Sequence, residues 1–143
     1  MSTIDLATNE QQIADTFEVM LELRPGYTLD SYLAQVKKQM DIADYQLAAL
    51  THENQVCCVA GFRITESLAW GKFMYVDDLV TSSQVRSANF GKQMIDWLIQ
   101  QAESQGCREF HLDSGVQRHG AHRFYLRERM DITCYHFMRK LTD

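Results

Sequence analysis

Residues 76–98 read Val-Asp-Asp-Leu-Val-Thr-Ser-Ser-Gln-Val-Arg-Ser-Ala-Asn-Phe-Gly-Lys-Gln-Met-Ile-Asp-Trp-Leu. In this stretch a half-apolar strand runs into a short polar loop, and an amphipathic helix begins directly after the loop. Most loop residues between 86 and 91 are small, which lets backbone N–H groups converge. Because a helix N-terminus has unpaired N–H groups and a partial positive charge, it attracts phosphate. The stretch therefore predicts a backbone cradle for a phosphorylated ligand.

The sequence before this stretch predicts a short strand and two helices. Residues 3–7 form the strand, and apolar residues at helical spacing predict the first helix over residues 9–23. Pro25, the only proline, is followed by glycine and separates the two helices. Asp30 or Ser31 is expected to cap the second helix.

Strands dominate the middle of the chain, and strands and helices alternate after it. Residues 45–50, 56–65 and 72–81 predict three strands with short connections, an antiparallel meander. The remaining predicted elements are a helix from residue 90 to about 105, a strand over 107–113, a helix over 120–129 and a final strand over 132–141. This order predicts an α/β fold in one domain, residues 1–143, with a mixed sheet of about six to seven strands and helices on both faces.

Composition excludes several classes of protein. The net charge of −5 and the absence of a basic stripe disfavour a nucleic-acid-binding role. No basic and apolar leader is recognisable at the N-terminus, and no run approaches the ~20 apolar residues of a membrane span. The four cysteines form no Cys-x-x-Cys pair, which favours reduced core thiols in a cytoplasmic protein.

Two segments resemble a known family. Residues 86–91, Arg-Ser-Ala-Asn-Phe-Gly, are similar to the acetyl-CoA-binding pattern Arg/Gln-x-x-Gly-x-Gly/Ala of the GCN5-related N-acetyltransferase (GNAT) superfamily. Residues 121–130, Ala-His-Arg-Phe-Tyr-Leu-Arg-Glu-Arg-Met, resemble its Ala-x-x-Leu-Tyr-x-x-x-Gly-Phe segment. Asn89 and Arg129 stand where the family usually has glycine, and Arg118 stands where it often has asparagine. The predicted element order also matches the GNAT fold along nearly the whole chain.

The resemblance implies an N-acetyltransferase that moves an acetyl group from acetyl-CoA to a primary amine by direct attack. It implies that Tyr125 lies beside the thioester sulfur and assists the departing thiolate. Main-chain groups of Leu79 and Val80 would hold the pantetheine arm, which lies like an added strand in a gap between two parallel strands. The further expected cofactor contacts are Arg86, Ser87, Ala88, Asn89, Phe90, Gly91, Lys92, Ser114, Arg118 and His122.

Asp77 and Asp78 are candidates for a catalytic carboxylate. In a regular strand their side chains point to opposite faces, so one of them would face the substrate cleft, unless a bulge changes the register. Asp78 is the candidate that takes a proton from the amine. A carboxylate that only caps loop amides, or lies in solvent, is the alternative. His119 and His122 lack further ligands at a compatible spacing, so no metal site is expected.

The acceptor amine is not identifiable from the sequence. By resemblance it is selected by residues 17–40, whose carboxylates and aromatics are Glu18, Glu22, Tyr27, Asp30 and Tyr32. These residues suit a small cationic amine, a peptide N-terminus or a lysine, and ordinary solvated helix surface is the alternative. A CoA-binding regulatory module with weak or no turnover is the alternative function. A homodimer is expected by analogy, through the last strand.

Overall fold

The computed structural model describes residues 1–85 and 89–143. The elements, in chain order, are β1 (Ser2–Leu6), α1 (Glu10–Asp15), α2 (Phe17–Leu23), α3 (Leu29–Ala43), β2 (Gln46–His52), β3 (Gln55–Ser67), β4 (Gly71–Thr81), α4 (Phe90–Ser104), β5 (Glu109–Leu112) and α5 (His119–Arg127). The chain divides into two compact units, residues 1–112 and residues 113–143.

The first unit contains a mixed sheet in the order β1-β2-β3-β4-β5. Neighbouring strands from β1 to β4 are antiparallel, as a meander requires, whereas β4 and β5 are parallel. A parallel pair needs a crossover, and α4 supplies it. The α/β class and the mixed sheet are confirmed, although the described residues form five strands and not six or seven.

Helices cover both faces of this sheet. On one face, α4 contributes Phe90, Met94 and Leu98 to a core that includes Phe62 and Met74. The opposite face packs against α1, α2 and α3 in a second cluster of buried residues: Ala7, Ile13, Val19, Met20, Tyr32, Val36, Tyr45, Leu47 and Val59. The two-sided burial explains why β2 and β3 read as nearly continuous apolar runs.

The prediction of a final strand over residues 132–141 is wrong. Within the described part of the chain this segment joins no ladder, and Tyr135 and Phe137 are 86% and 91% exposed. Within the second unit, this segment contacts Asp113, whose Oδ2 lies 2.7 Å from His136 Nδ1. Apolar residues alone do not make a strand, since its backbone groups need partners on a neighbouring strand.

The N-terminal helices also differ from their prediction. The helix expected over residues 9–23 breaks at Thr16, whose buried hydroxyl donates to the carbonyl of Ile13 at 2.6 Å and lies 2.7 Å from the Tyr32 hydroxyl. A threonine that bonds the preceding turn competes with helix continuation. The cap of α3 is Thr28, in a reciprocal capping box with Ser31, and not Asp30 or Ser31 as predicted.

The cysteines are all free thiols. Cys57 and Cys58 are buried in β3, and burial raises the pKa of the Cys58 thiol to about 11. Both are core residues, as expected, whereas Cys134 is exposed.

Candidate active site

A bulge in β4 determines how the two aspartates are presented. Gly61 pairs with Asp78 and Phe62 pairs with Val76, so Asp77 is one extra residue on β4. Val76 and the half-buried Leu79 consequently both pack into the core on the α4 face. Because the bulge lies between them, Asp77 and Asp78 both reach the opposite face and line the same cavity, so the alternation expected of a regular strand does not apply here.

Each aspartate is bound to an arginine from another element. Arg63 on β3 donates from Nε and Nη2 to the two carboxylate oxygens of Asp77, at 2.8 and 2.9 Å. Arg24, which follows α2, donates from Nε to Asp78 Oδ1 at 2.8 Å and from Nη2 to the backbone carbonyl of Asp77 at 2.9 Å. These charge-assisted bonds fix the orientation of both carboxylates.

Tyr45 supplies the second partner of Asp78. Its hydroxyl donates to Asp78 Oδ2 at 2.7 Å, and its side chain is almost fully buried. Burial, followed by the charge of Asp78, raises the pKa of Tyr45 well above its usual value. Burial also raises the pKa of Tyr32. Both phenols therefore stay protonated at neutral pH and act as donors.

Gly61 makes the approach of Tyr45 possible. A Cβ atom at Gly61 would lie 1.7 Å from the Tyr45 hydroxyl oxygen and 2.4 Å from Cζ. The Tyr45 ring therefore passes over the β3 backbone at Gly61, where a larger residue would block it, and its hydroxyl reaches Asp78.

These residues border a cavity of about 350 Å³, which we call the aspartate cavity. Its lining residues come from α2, α3, the sheet and the connecting segments: Met20, Arg24, Tyr27, Tyr32, Gln35, Val36, Gln39, Ala43, Tyr45, Arg63, Asp77 and Asp78. Tyr27 and Tyr32, predicted to face the acceptor, are among them. A concave, mostly preformed site with a few convergent polar groups is the usual form of a small-molecule pocket.

The carboxylates predicted on α2 lie elsewhere. Glu18 and Glu22 line a second cavity of about 200 Å³, together with Asp15 and Gln84. Glu22 also accepts the backbone N–H of Ser83, at 3.1 Å to Oε1, and so joins α2 to the loop after β4. Asp30 lines neither of these two cavities.

β4 continues beyond its parallel partner. The ladder with β5 ends at the pair Val76–Leu112, whereas β4 extends to Thr81. On its other side β4 stays paired with β3 through this stretch, where Leu79 and Val80 face Ala60 and Val59. One backbone edge of β4 at Leu79 and Val80 therefore has no partner in β5.

The N-terminus of α4 has the form expected of an anion site. Asn89 adopts the left-handed conformation, φ 64° and ψ 25°, which asparagine tolerates better than most residues. Its side chain makes no cap hydrogen bond, and the first turn contains no acidic residue. Lys92 pairs with Asp96 at 3.4 Å, and Gly91 is half-buried. Arg86, Ser87 and Ala88 lie outside the described residues.

Phe90 has a structural role. Its ring is 3% exposed and packs in the core on the α4 face, with its centroid 5.4 Å from that of His52. It anchors the first turn of α4 to the sheet, and this burial explains why an aromatic residue follows Asn89.

The remaining predicted residues belong to the second unit. Tyr125 is half-buried on α5, with its ring centroid 5.5 Å from that of Phe124. His122 Nε2 lies 2.7 Å from the Gly115 carbonyl, and Arg118 is exposed at the start of α5. Among the described residues, the buried hydroxyl of Ser114 has no hydrogen-bond partner, which suits a polar ligand group.

Arg129 occupies a left-handed position, with φ 66°, directly after the C-cap of α5. The backbone therefore keeps the conformation for which glycine is the usual choice. We expect Arg129→Gly to raise the free energy of unfolding of the chain by about 1 kcal/mol, because the left-handed conformation costs a side-chain-bearing residue about that much. Urea unfolding measures this change. Arg127→Gly, inside α5, is the control and should lower the free energy of unfolding.

The described residues hold neither a cluster of three His, Cys, Asp or Glu side chains suited to a metal ion nor a helix long and apolar enough to cross a membrane.

Comparison with known proteins decides the family. The sequence model of the acetyltransferase (GNAT) family matches residues 13–130. The chain belongs to the acetyltransferase (GNAT) family. This GNAT protein is therefore an enzyme of the N-acetyltransferase type, as the resemblance implied. The match covers both α4 and α5, which carry the two recognised segments.

Three proteins illustrate the relationship. The chain is 30% identical over 126 residues to the uncharacterized N-acetyltransferase YhdJ of Bacillus subtilis, covering 88% of both chains. It is 30% identical over 66 residues to aminoalkylphosphonate N-acetyltransferase of Salmonella typhimurium, which covers 46% of this chain and 43% of the relative. Its fold is similar to the aminoglycoside N-acetyltransferase AAC(6')-Iy solved with CoA, with a TM-score of 0.80, 16% identity and coverage of 99% and 97%.

Sequence reasoning missed the residues that shape the aspartate cavity, which are Arg24, Tyr45, Gly61 and Arg63. One signal was available: an arginine at position 63 inside an apolar strand demands a partner, because a charge in such a strand is paired or reaches solvent. The other contacts join residues that are far apart in the chain.

Proposed function

We propose that this GNAT protein transfers the acetyl group of acetyl-CoA to a primary amine by direct attack of the amine on the thioester. The observation that carries the proposal is the β4 bulge. It turns Asp78 into the aspartate cavity next to the segment of β4 that extends past β5. An amine acceptor bound in the cavity would lie close to the β4 edge that we propose binds the thioester arm.

The cofactor side of the proposal rests on two features of the first unit. The free edge of β4 at Leu79 and Val80 offers main-chain groups to the pantetheine arm and to the developing oxyanion. The N-terminus of α4, without a side-chain cap, suits the diphosphate, with Arg86, Ser87 and Ala88 as further predicted contacts. Acetyl-CoA, when bound, supplies the activated acyl group. The related fold of AAC(6')-Iy, solved with CoA, supports this choice of cosubstrate.

Asp78 is proposed to take the proton from the attacking amine, directly or through one water molecule. Arg24 and Tyr45 each use one of its two oxygens and hold the carboxylate in one orientation. A carboxylate has about four acceptor sites, so both oxygens retain the capacity to accept a further proton or hydrogen bond. The amine must be neutral to attack, which makes proton removal part of the reaction.

Tyr125 is proposed to assist the departure of the CoA thiolate. We expect Tyr125→Phe to lower kcat by about a hundredfold, the low end of the range typical of a positioned proton donor, since the phenol would protonate or hydrogen-bond the leaving sulfur. Thiol release under saturating acetyl-CoA measures the effect, and Phe124→Leu is the neighbouring control. An unchanged kcat in Tyr125→Phe would show that Tyr125 does not assist the departure of the thiolate.

Binding and turnover are separable tests of the proposal. Isothermal titration with acetyl-CoA is expected to show binding, and thiol release across a panel of amines is expected to show turnover. Binding without turnover on any amine would favour the CoA-binding regulatory module. The two replacements of family glycines do not favour that alternative, because Asn89 and Arg129 keep the left-handed backbone. A cytoplasmic location and a homodimer remain predictions, and light scattering after size-exclusion chromatography tests the second.

A further inference from the structure

The aspartate cavity is charge-balanced, although the chain as a whole is acidic. Two guanidinium groups, of Arg24 and Arg63, face two carboxylates, of Asp77 and Asp78. A polycationic acceptor favours a site with more carboxylates than cationic groups. In this cavity the two numbers are equal. The acidic side chains that would attract such a ligand, including Glu18 and Glu22, border the other cavity.

The two arginines differ in how much hydrogen-bonding capacity their salt bridges use. Arg63 spends Nε and Nη2 on the two oxygens of Asp77, and its guanidinium also lies 5.4 Å from the centre of the Tyr75 ring. Arg24 uses Nε and Nη2, and its Nη1 bonds no group in the described ranges 1–85 and 89–143. Its side chain is 49% exposed, against 13% for Asp78. Arg24 therefore has a cationic donor left for a ligand.

We propose that the acceptor is a small zwitterion: a primary amine with one anionic group, a carboxylate or a phosphonate, on a short chain. Arg24 binds the anionic group, and Asp78 binds the amine. This proposal rests on the acetyl transfer proposed above. Guanidinium is well suited to both anions because it presents paired N–H donors to their oxygens.

The geometry limits the length of the acceptor. Arg24 and Asp78 are bonded to each other, Nε to Oδ1 at 2.8 Å, so the two side chains that would bind the ligand are adjacent and a short chain is enough to join its anionic group and its amine. The cavity volume of about 350 Å³ lies at the small end of the range for ligand pockets. Tyr27 and Tyr32, in edge contact at 6.2 Å between centroids, add aromatic wall for a short aliphatic chain.

A matched set of amines tests the substrate class. Thiol release from acetyl-CoA is measured with β-alanine, 2-aminoethylphosphonate, β-alaninamide, propylamine and spermidine. We expect kcat/KM for β-alanine or 2-aminoethylphosphonate to exceed that for β-alaninamide and propylamine at least tenfold. The better of the two acids identifies the anion. Equal or better turnover of the amide, propylamine or spermidine would overturn the proposal.

A pair of variants tests the residue. In Arg24→Gln the ratio of kcat/KM for the preferred acid to that for propylamine is expected to fall at least tenfold, mainly through KM for the acid. Tyr45→Phe removes the other partner of Asp78 but keeps the guanidinium, so it should change the rates of all amines by a similar factor and preserve the ratio. A preserved ratio in Arg24→Gln would show that Arg24 only positions Asp78.

A binding measurement separates this inference from the proposed reaction. Calorimetric titration of 2-aminoethylphosphonate, β-alanine and propylamine into the full chain with CoA present requires no turnover. If no amine is acetylated but the acids bind at least tenfold more tightly than propylamine, the acetyl transfer fails and the assignment of the cavity stands. If the acids show no preference in either readout, the assignment is wrong.

Discussion

Replacing Asp78 with asparagine is expected to lower kcat/KM at least about a hundredfold, because the variant keeps the shape of the side chain but removes its capacity to accept a proton. Loss of a general base typically costs a factor in this range or larger. The measurement is the initial rate of thiol release at fixed acetyl-CoA over a range of pH.

The adjacent residue provides the matched control. Asp77→Asn changes the same functional group in the same bulge, but it weakens the pair with Arg63 and leaves the bonds from Arg24 and Tyr45 to Asp78 in place. Its kcat/KM is expected to remain within about tenfold of the parent, since a partly exposed ion pair contributes only about 1 kcal/mol. If kcat/KM fell more in Asp77→Asn than in Asp78→Asn, Asp77 and not Asp78 would be the residue that accepts the proton.

Gly61→Ala is expected to reduce both stability and activity. The added methyl group would overlap the Tyr45 side chain, and the buried ring has little room to move. Overpacking of this kind typically costs about 1–3 kcal/mol of unfolding free energy. A shift of the ring would also remove the hydroxyl from Asp78. Urea unfolding measures the first effect and thiol release the second.

Two controls separate the overlap from the general cost of altering a glycine. Gly120→Ala, on α5, meets no atom within 4 Å and should be neutral or stabilise by up to about 1 kcal/mol, because alanine is the better helix former. In a Tyr45→Ala background the additional cost of Gly61→Ala should fall by at least about 1 kcal/mol, as expected for residues in direct contact. Additive costs of the two substitutions would mean that the overlap is relieved elsewhere.

Local patterns predicted the elements that are proposed to bind the cofactor. The apolar spacing after residue 89 and the glycine at 106 predicted α4, which spans Phe90–Ser104. Asn89, at a position where the family usually has glycine, has a left-handed backbone with φ 64°. These features depend on residues within a few positions of one another, where helical spacing and backbone preference act directly.

The acceptor side was not predictable in the same way. Arg24 and Asp78 are 54 positions apart, and Tyr45 and Asp78 are 33 apart, so no local pattern joins them. The orientation of Asp77 and Asp78 depends on one extra residue in the register of β4 against β3. Register is a property of the pair of strands, and a shift of one residue reverses the face that a side chain occupies.

Short-range spacing was sufficient to predict the order of most helices and strands, the resemblance to the GNAT family and the loop-to-helix junction that suits a phosphate. Long-range contacts, which no local pattern contains, place Asp78 in a cavity between Arg24 and Tyr45 and leave residues 132–141 without a strand partner in the described chain. Arg24 and Tyr45 come from distant parts of the chain, and a strand over residues 132–141 would have needed a partner strand that the described residues do not provide. Long-range pairing, and not local preference, sets which backbone and side-chain groups are satisfied.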